Sequence, residues 1–347
     1  MVNRVLDGRT RAAILSGPGR GAIALIRVWG TEAVQTVDRA FRPNRSVSFS
    51  TTPPGLPRVG RIGLGLGDEV VAVIEVGPNP EVSVQCHGGS AATALVFNAI
   101  LAQGAVRARP EAWIKRSAQS RIESEARLSI GRASTTRVAE ILLDQIDGTL
   151  ERALAETVDH PEMSRLLMDR FEVGKRLIPG WQVVLAGRPN VGKSRLLNAL
   201  AGFDRAIVDP TPGTTRDVVS VRTAFDGWPV ELADTAGLRR SDDPIESAGV
   251  DRARVRQAAA DLVLVVLDRS EPLLDTDREI LASYPDALVV ANKADRPPAW
   301  EPTSLSISAE RGDGLEALTH EIAQRLVPNP PKPGEAVPFR LRHIRSL

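Results

Sequence analysis

The sequence predicts an α/β fold, a mainly parallel sheet covered by helices, preceded by a smaller α+β domain and a helical segment. Three observations carry this. From Trp181 to about Leu326 short apolar runs alternate with amphipathic stretches of helical period. Residues 1 to about 105 instead set short apolar stretches between turn residues, and from about Glu111 to Leu177 the pattern is helical throughout. The changes of pattern divide the chain into an α+β domain at 1–110, a helical segment at 111–178, the alternating domain at 179–327, and a Pro-rich linker with a basic tail at 328–347.

In order, Ala12 to Leu15, Ala22 to Val28, Val70 to Val76 and Val82 to Cys86 read as strands, and Thr31 to Phe41 and Ala91 to Gln103 as helices. Between Pro43 and Pro57 a stretch rich in Ser, Thr and Pro lacks periodicity and reads as a loop. Val138, Ile141, Leu142 and Ile146 recur at helical spacing, so the middle segment is an amphipathic bundle portion whose apolar face serves either its own packing or a dimer surface. Then come strands at Val183 to Ala186, Val218 to Thr223, Val230 to Ala233, Leu262 to Leu267, Leu288 to Ala291 and Leu305 to Ile307, with helices opening at Gly192 and Gly314. Pro328 to Pro338 holds five prolines and cannot be helical; it is expected to be an extended linker.

A chain of 347 residues is too long for one ordinary core and predicts two or three domains. The 44 Lys and Arg nearly cancel the 43 Asp and Glu, which leaves no global pull toward nucleic acid or anionic lipid, so any such affinity is local. One cysteine, Cys86, excludes an intramolecular disulfide framework and a multi-cysteine metal site, as a reducing cytoplasm predicts. Met1 to Ser16 lacks the apolar core of a signal peptide, and the longest apolar run, Leu262 to Leu267, is far short of a bilayer span. A cytoplasmic protein with no membrane partner is the expectation.

Gly187-Arg188-Pro189-Asn190-Val191-Gly192-Lys193-Ser194 fits a phosphate-binding loop, and it stands where that motif requires, after a strand and opening a helix. The loop amides and the helix N-terminus point at phosphates, Lys193 adds a positive charge, and Ser194 adds a hydroxyl ligand for Mg²⁺; Val191 and Arg195 flank these groups. Asp234-Thr235-Ala236-Gly237 follows a strand, where an NTPase places an acid near Mg²⁺ and a glycine amide near the γ-phosphate. Asn292-Lys293-Ala294-Asp295 ends the next-but-one strand, and Asp295 can accept two hydrogen bonds from guanine N1 and its exocyclic amine. Adenine leaves that carboxylate unpaired, which is costly. Ser308-Ala309-Glu310 supports the base from its other edge. Four ordered motifs at strand ends identify a P-loop domain that binds GTP and hydrolyses it to GDP and phosphate. Between the first two, Asp209 and Gly213-Thr214-Thr215-Arg216-Asp217 form a loop in which a threonine hydroxyl, Thr215 in preference to Thr214, reaches Mg²⁺ in a switch; the bland alternative is a surface turn.

At this point the residues resemble a family. The GTPase half resembles the Era and MnmE/TrmE group, and Gly17-Pro18-Gly19-Arg20-Gly21-Ala22-Ile23-Ala24-Leu25-Ile26-Arg27, Cys86-His87-Gly88-Gly89 and Ala108-Arg109-Pro110 narrow the resemblance to MnmE/TrmE, the tRNA wobble-uridine modification GTPases. The resemblance implies a folate-binding-like N-terminal domain that forms a homodimer, a helical domain, and a G domain inserted into it. It also implies tRNA or another RNA as partner. Leu238 stands where Ras-like enzymes keep a water-orienting glutamine; the family's glutamate for that task matches Glu246, whose alternative reading is a solvated glutamate at a helix start. Asn190 matches the asparagine that helps hold K⁺, against the alternative of a simple turn asparagine. The cofactor 5-formyltetrahydrofolate, or a related folate, rests on Arg27 alone, because Ser83 stands at the expected glutamate and the expected lysine falls near Arg121 and Ile122. The family's flavoprotein partner likewise follows from resemblance only. The family ends in a short cysteine-containing motif, whereas this sequence ends Arg345-Ser346-Leu347 with the second helical portion nearly absent. The resemblance therefore admits two functions: tRNA modification, or a divergent regulatory switch that binds RNA, a ribosomal particle or a protein. His87 reads as a satisfied histidine at a strand end rather than a catalytic one.

Overall fold

The computed structural model describes residues 8–16, 21–44, 47–203, 220–234, 260–302, 305–345 and 347. Two compact units divide after Ser124. In the first, β1 (Arg11–Ile14), β2 (Ile23–Trp29), β3 (Phe41–Pro43), β4 (Arg58–Ile62), β5 (Asp68–Ile74), β6 (Glu81–His87) and β7 (Val106–Arg107) form one sheet in the order β3-β4-β5-β6-β2-β1-β7. Its pairs are antiparallel except β1 with β7. The period of two decides which face is buried: Ala24, Ile26 and Val28 of β2 and Val82, Val84 and Cys86 of β6 point to one side. There they meet Val37 of α1 (Ala33–Ala40) and Val96, Phe97 and Ile100 of α2 (Ser90–Ala102), spaced as one helix stripe.

Strands β3, β4 and β7 escape the sequence reading. β4 carries Gly60 and two arginines, so its alternation is interrupted, and β7 is two residues long. Gly60 is required in β4 because a Cβ there would lie 2.4 Å from the Phe41 ring. The helix α3 (Pro110–Ser117) belongs with this first unit, not with the helical segment as expected. Its Trp113 Nε1 donates to Glu81 Oε1 at 2.5 Å, and tertiary contact of this kind leaves no periodic trace.

The second unit opens within α4 (Arg121–Ile130) and continues through α5 (Thr136–Ile146), α6 (Thr149–Glu156) and α7 (Pro161–Gly174). Val138, Ile141 and Leu142 of α5 are buried, as their spacing predicts. Thr135 caps α5 and donates its hydroxyl to Gly227 O at 2.7 Å, so the helices and the following sheet share one compact unit. That sheet has the order β13-β12-β11-β8-β10-β9, from β8 (Trp181–Ala186), β9 (Ser220–Phe225), β10 (Trp228–Asp234), β11 (Leu262–Asp268), β12 (Leu288–Asn292) and β13 (Leu305–Ser306). Only β9 and β10 pair antiparallel. α8 (Lys193–Phe203), α9 (Asp275–Ser283) and α10 (Leu315–Leu326) accompany the strands; α9 is missing from the sequence reading because its face is short and acidic. No described helix is long and apolar enough to cross a membrane.

The linker expected at 328–347 is corrected. Ala336, Val337 and Phe339 are buried, and Gln145 of α5, itself fully buried, donates to Glu335 O at 3.3 Å and accepts from Val337 N at 3.1 Å. Prolines exclude helix there but not packing, because a segment without its own ladder can satisfy its amides on a neighbouring side chain. Nor is the tail a free basic arm: Arg342 pairs with Glu125 of α4, and Arg340 donates to Ser129 Oγ at 3.2 Å.

Candidate nucleotide-binding site

Open parallel sheets bind ligands beyond the carboxyl ends of their strands, and β8, β10 and β12 each end there in one of the sequence motifs. After β8 the loop 187–192 turns tightly into α8. A Cβ on Gly187, at φ +146°, would lie 2.4 Å from Val266 O; one on Gly192, at φ +98°, would lie 2.3 Å from Asn292 Nδ2. Both glycines are therefore dictated by close approach as well as by backbone angle. Asn190 takes φ +66°, a left-handed conformation in which asparagine is among the better-tolerated side chains. Lys193 is buried, and its ammonium donates to Gly187 O at 2.9 Å and Arg188 O at 2.8 Å, which fixes its charge inside the loop.

Ser194 Oγ donates to Asp234 Oδ2 at 2.9 Å, so the hydroxyl after the loop and the carboxylate ending β10 share one point. Two hard oxygens converging beside a lysine-bearing loop suit Mg²⁺ completed by phosphate oxygens. Among the described residues no group of three His, Cys, Asp or Glu side chains could hold a metal on its own. Asp209, Thr214, Thr215, Thr235, Ala236, Gly237 and Glu246 lie outside the described residues.

At the base end, Ser308 Oγ donates to Asp295 Oδ1 at 2.7 Å and holds that carboxyl below the ordinary carboxylate range. Asn292 is buried; its Nδ2 donates to Val191 O at 2.8 Å and its Oδ1 accepts from Ala309 N at 3.0 Å. One side chain thus ties the phosphate loop to the loop after β13. Val191 is fully buried, and its carbonyl accepts that Asn292 hydrogen bond. Arg195, in the first turn of α8, pairs with Glu310, and both are exposed.

Two groups of this site escape the sequence reading. Asp268, the last residue of β11, is 3% exposed and pairs with Lys293 at 2.5 Å. Arg188 donates to Glu271 at 2.7 Å and lies 3.2 Å from buried Asp277. An acid closing the run Leu262 to Leu267 is the only trace of the first in the sequence; the second depends on the fold.

Arg27 stands in the first unit on the sheet face away from the core. Its guanidinium pairs with Glu75, lies 3.3 Å from Glu81 and sits 5.0 Å from the Trp113 ring centroid. It is therefore a neutralised, aromatic-backed cation. His87 ends β6, where Asp68 accepts from its backbone N at 3.0 Å and meets Nδ1 at 2.7 Å.

Residues 182–293 match the family model described as 50S ribosome-binding GTPase, and residues 10–120 match that of the GTP-binding protein TrmE N-terminus. A protein of Symbiobacterium thermophilum named tRNA modification GTPase MnmE is 35% identical across a match that covers 91% of this chain and 82% of that protein. One of the same name in Moorella thermoacetica is 34% identical, covering 91% of this chain and 81% of that protein. Among solved structures, Aquifex aeolicus Era bound to GDP and aluminium fluoride is similar over 47% of this chain and 63% of that one, at 29% identity and a TM-score of 0.33.

Proposed function

The chain belongs to the MnmE/TrmE family of tRNA modification GTPases and is itself a GTPase, and on that premise we propose that it couples GTP hydrolysis to modification of the wobble uridine of tRNA. The observation that carries the nucleotide half is the Ser308–Asp295 hydrogen bond, which presents an ionised carboxylate at the end of a sheet where β8 leads into the Lys193 loop and β10 ends in Asp234, the acceptor of Ser194. In this reading Asp295 accepts from guanine N1 and its amine, with Asn292, Lys293, Ser308, Ala309 and Glu310 around the base. Gly192, Lys193 and Arg195 take the phosphates with Asn190 and Val191. Ser194, Thr215 and Asp234 serve Mg²⁺, and Asp209, Thr214, Thr235, Ala236 and Gly237 complete the phosphate end.

Glu246 orients or activates the attacking water, since Leu238 cannot. Asn190 contributes to a K⁺ site whose charge offsets that developing on the γ-phosphoryl group when two G domains meet. The first unit forms the homodimer and takes a folate against Arg27, while tRNA or another RNA is the macromolecular partner. Glu246→Ala is expected to bind GTP normally and hydrolyse it at least about a hundredfold more slowly, as for loss of a general base. A lowered melting temperature with an unchanged rate per folded molecule would identify a structural glutamate instead.

The test of the whole proposal is the nucleoside composition of tRNA from a strain lacking the gene, with and without the gene restored. Loss of the modified wobble uridine, and its return, is expected. An unchanged composition would leave the regulatory GTPase switch, acting on RNA, a ribosomal particle or a protein, as the function.

A further inference from the structure

Lys293 has a positive φ of +65°, which a side chain with a Cβ adopts only under constraint. The constraint is visible. β11 and β12 are in register with Asp268 opposite Asn292, so the residue after Asn292 emerges beside the Asp268 carboxylate. Lys293 Nζ donates to Asp268 Oδ2 at 2.5 Å, while Asp268 Oδ1 accepts from Ser270 N at 2.9 Å and Ser270 Oγ at 2.7 Å. Three donors hold the Asp268 carboxyl below the ordinary range despite its burial, so the pair is charged. The main chain is tied as well: Arg269 N donates to Asn292 O at 3.0 Å, and Trp300 Nε1 donates to Asp268 O at 3.0 Å.

We propose that Asp268 is a positioning residue for guanine: it anchors the Lys293 ammonium so that the lysine stem becomes a fixed apolar wall for the base and Asp295 is presented at its reading position. Stability alone does not account for such a pair, because a buried ion pair is often no better than apolar side chains of similar volume. Its location does. The anchor holds a strained residue two positions before Asp295, and a lysine stem whose head is tethered loses little further freedom when a base lies against it. The proposal rests on the assignment of Lys293 and Asp295 to the base, and its test separates the two.

The dissociation constant for fluorescently labelled GDP is measured with the full chain for the wild type, Asp268→Asn, Lys293→Met and the double variant, together with kcat at saturating GTP and the melting temperature without nucleotide. Asp268→Asn is expected to weaken GDP about tenfold, the size of a lost charge-assisted hydrogen bond, with kcat changed by less than about twofold. In the Lys293→Met background the same substitution is expected to change GDP affinity by less than about twofold, because the group it acts through is gone. Ser270→Ala leaves the charge pair in place and is expected to weaken GDP about threefold; it carries the test should Asp268→Asn not fold. If Lys293→Met weakens GDP but neither Asp268→Asn nor Ser270→Ala does, the anchor is overturned and the base site stands. If Lys293→Met has no effect, the assignment of Lys293 fails and takes the anchor with it. Equal losses from Asp268→Asn in both backgrounds would also overturn it, since Asp268 would then act by another route.

Discussion

Asp295 illustrates how one side chain sets nucleotide choice. Its carboxylate accepts from Ser308 with one oxygen and is kept ionised by that bond, so the remaining acceptor capacity suits a base edge carrying two donors. Asp295→Asn places a donor where guanine also has one. GTP affinity is expected to fall on the order of a hundredfold and preference to shift toward xanthine nucleotides, read by competition binding. Equal wild-type affinity for ATP and GTP would remove the basis of the argument. Lys193 gives a second case: with its ammonium held by two loop carbonyls, no other lysine sits in the loop, and Lys193→Ala is expected to abolish measurable GTP binding. Unchanged affinity there would mean that the phosphates lie elsewhere.

Among the elements, the segment from Gly334 to His343 departs most from expectation, and its packing makes two predictions. Val337 is fully buried and its amide is fixed on Gln145, so Val337→Ala is expected to cost about 2 kcal/mol from two lost methyls and the cavity left behind, measured by urea unfolding. His343 gives a pH signature. Phe339 N donates to its Nδ1 at 3.3 Å, so Nε2 carries the proton and donates to Glu125 Oε2 at 2.8 Å, with Arg342 and Arg340 also facing the ring. Burial pushes His343 below its ordinary 6.5 against the pull of Glu125. A histidine depressed in the folded state binds protons more readily when unfolded, so its contribution is fully present above pH 6.5 and is lost as the pH falls through the folded value. Thermal stability is expected to decline below that pH and His343→Asn to flatten the curve between about pH 7 and pH 5. A wild-type curve that is already flat there would exclude the histidine as its source.

For the whole molecule, the proposed mechanism depends on two chains meeting. In that proposal a K⁺ ion at Asn190 would add fixed positive charge beside the γ-phosphoryl group, and Na⁺ would fit a K⁺-sized cage poorly. Turnover is expected to be about tenfold faster in KCl than in NaCl at matched ionic strength, and specific activity to rise with protein concentration. Equal rates in both salts at every concentration would eliminate cation-assisted pairing of G domains and leave the guanine site untouched. Pro210 and Pro212 fall in the sequence segment that the proposal assigns to the cage, and their fixed φ angles would limit which carbonyls can turn toward the ion.

What the sequence determined by itself was local. Glycines forced by backbone angle, a lysine and serine at a strand-to-helix turn, and a carboxylate after a parallel strand specify guanine chemistry because each motif is a few residues long and carries its geometry with it. The polar–apolar alternation of β6 and the helical spacing in α5 were legible for the same reason, since burial there has a period. Tertiary structure alone decided the rest. It assigned α3 to the first unit through Trp113, turned the expected linker into a packed segment through Gln145, and brought Asp268 against Lys293 across 25 positions of sequence. Each of these is a contact between side chains that no periodicity links, and the physical reason they are invisible in sequence is that a buried polar group states only that it needs a partner, while the fold chooses which partner arrives.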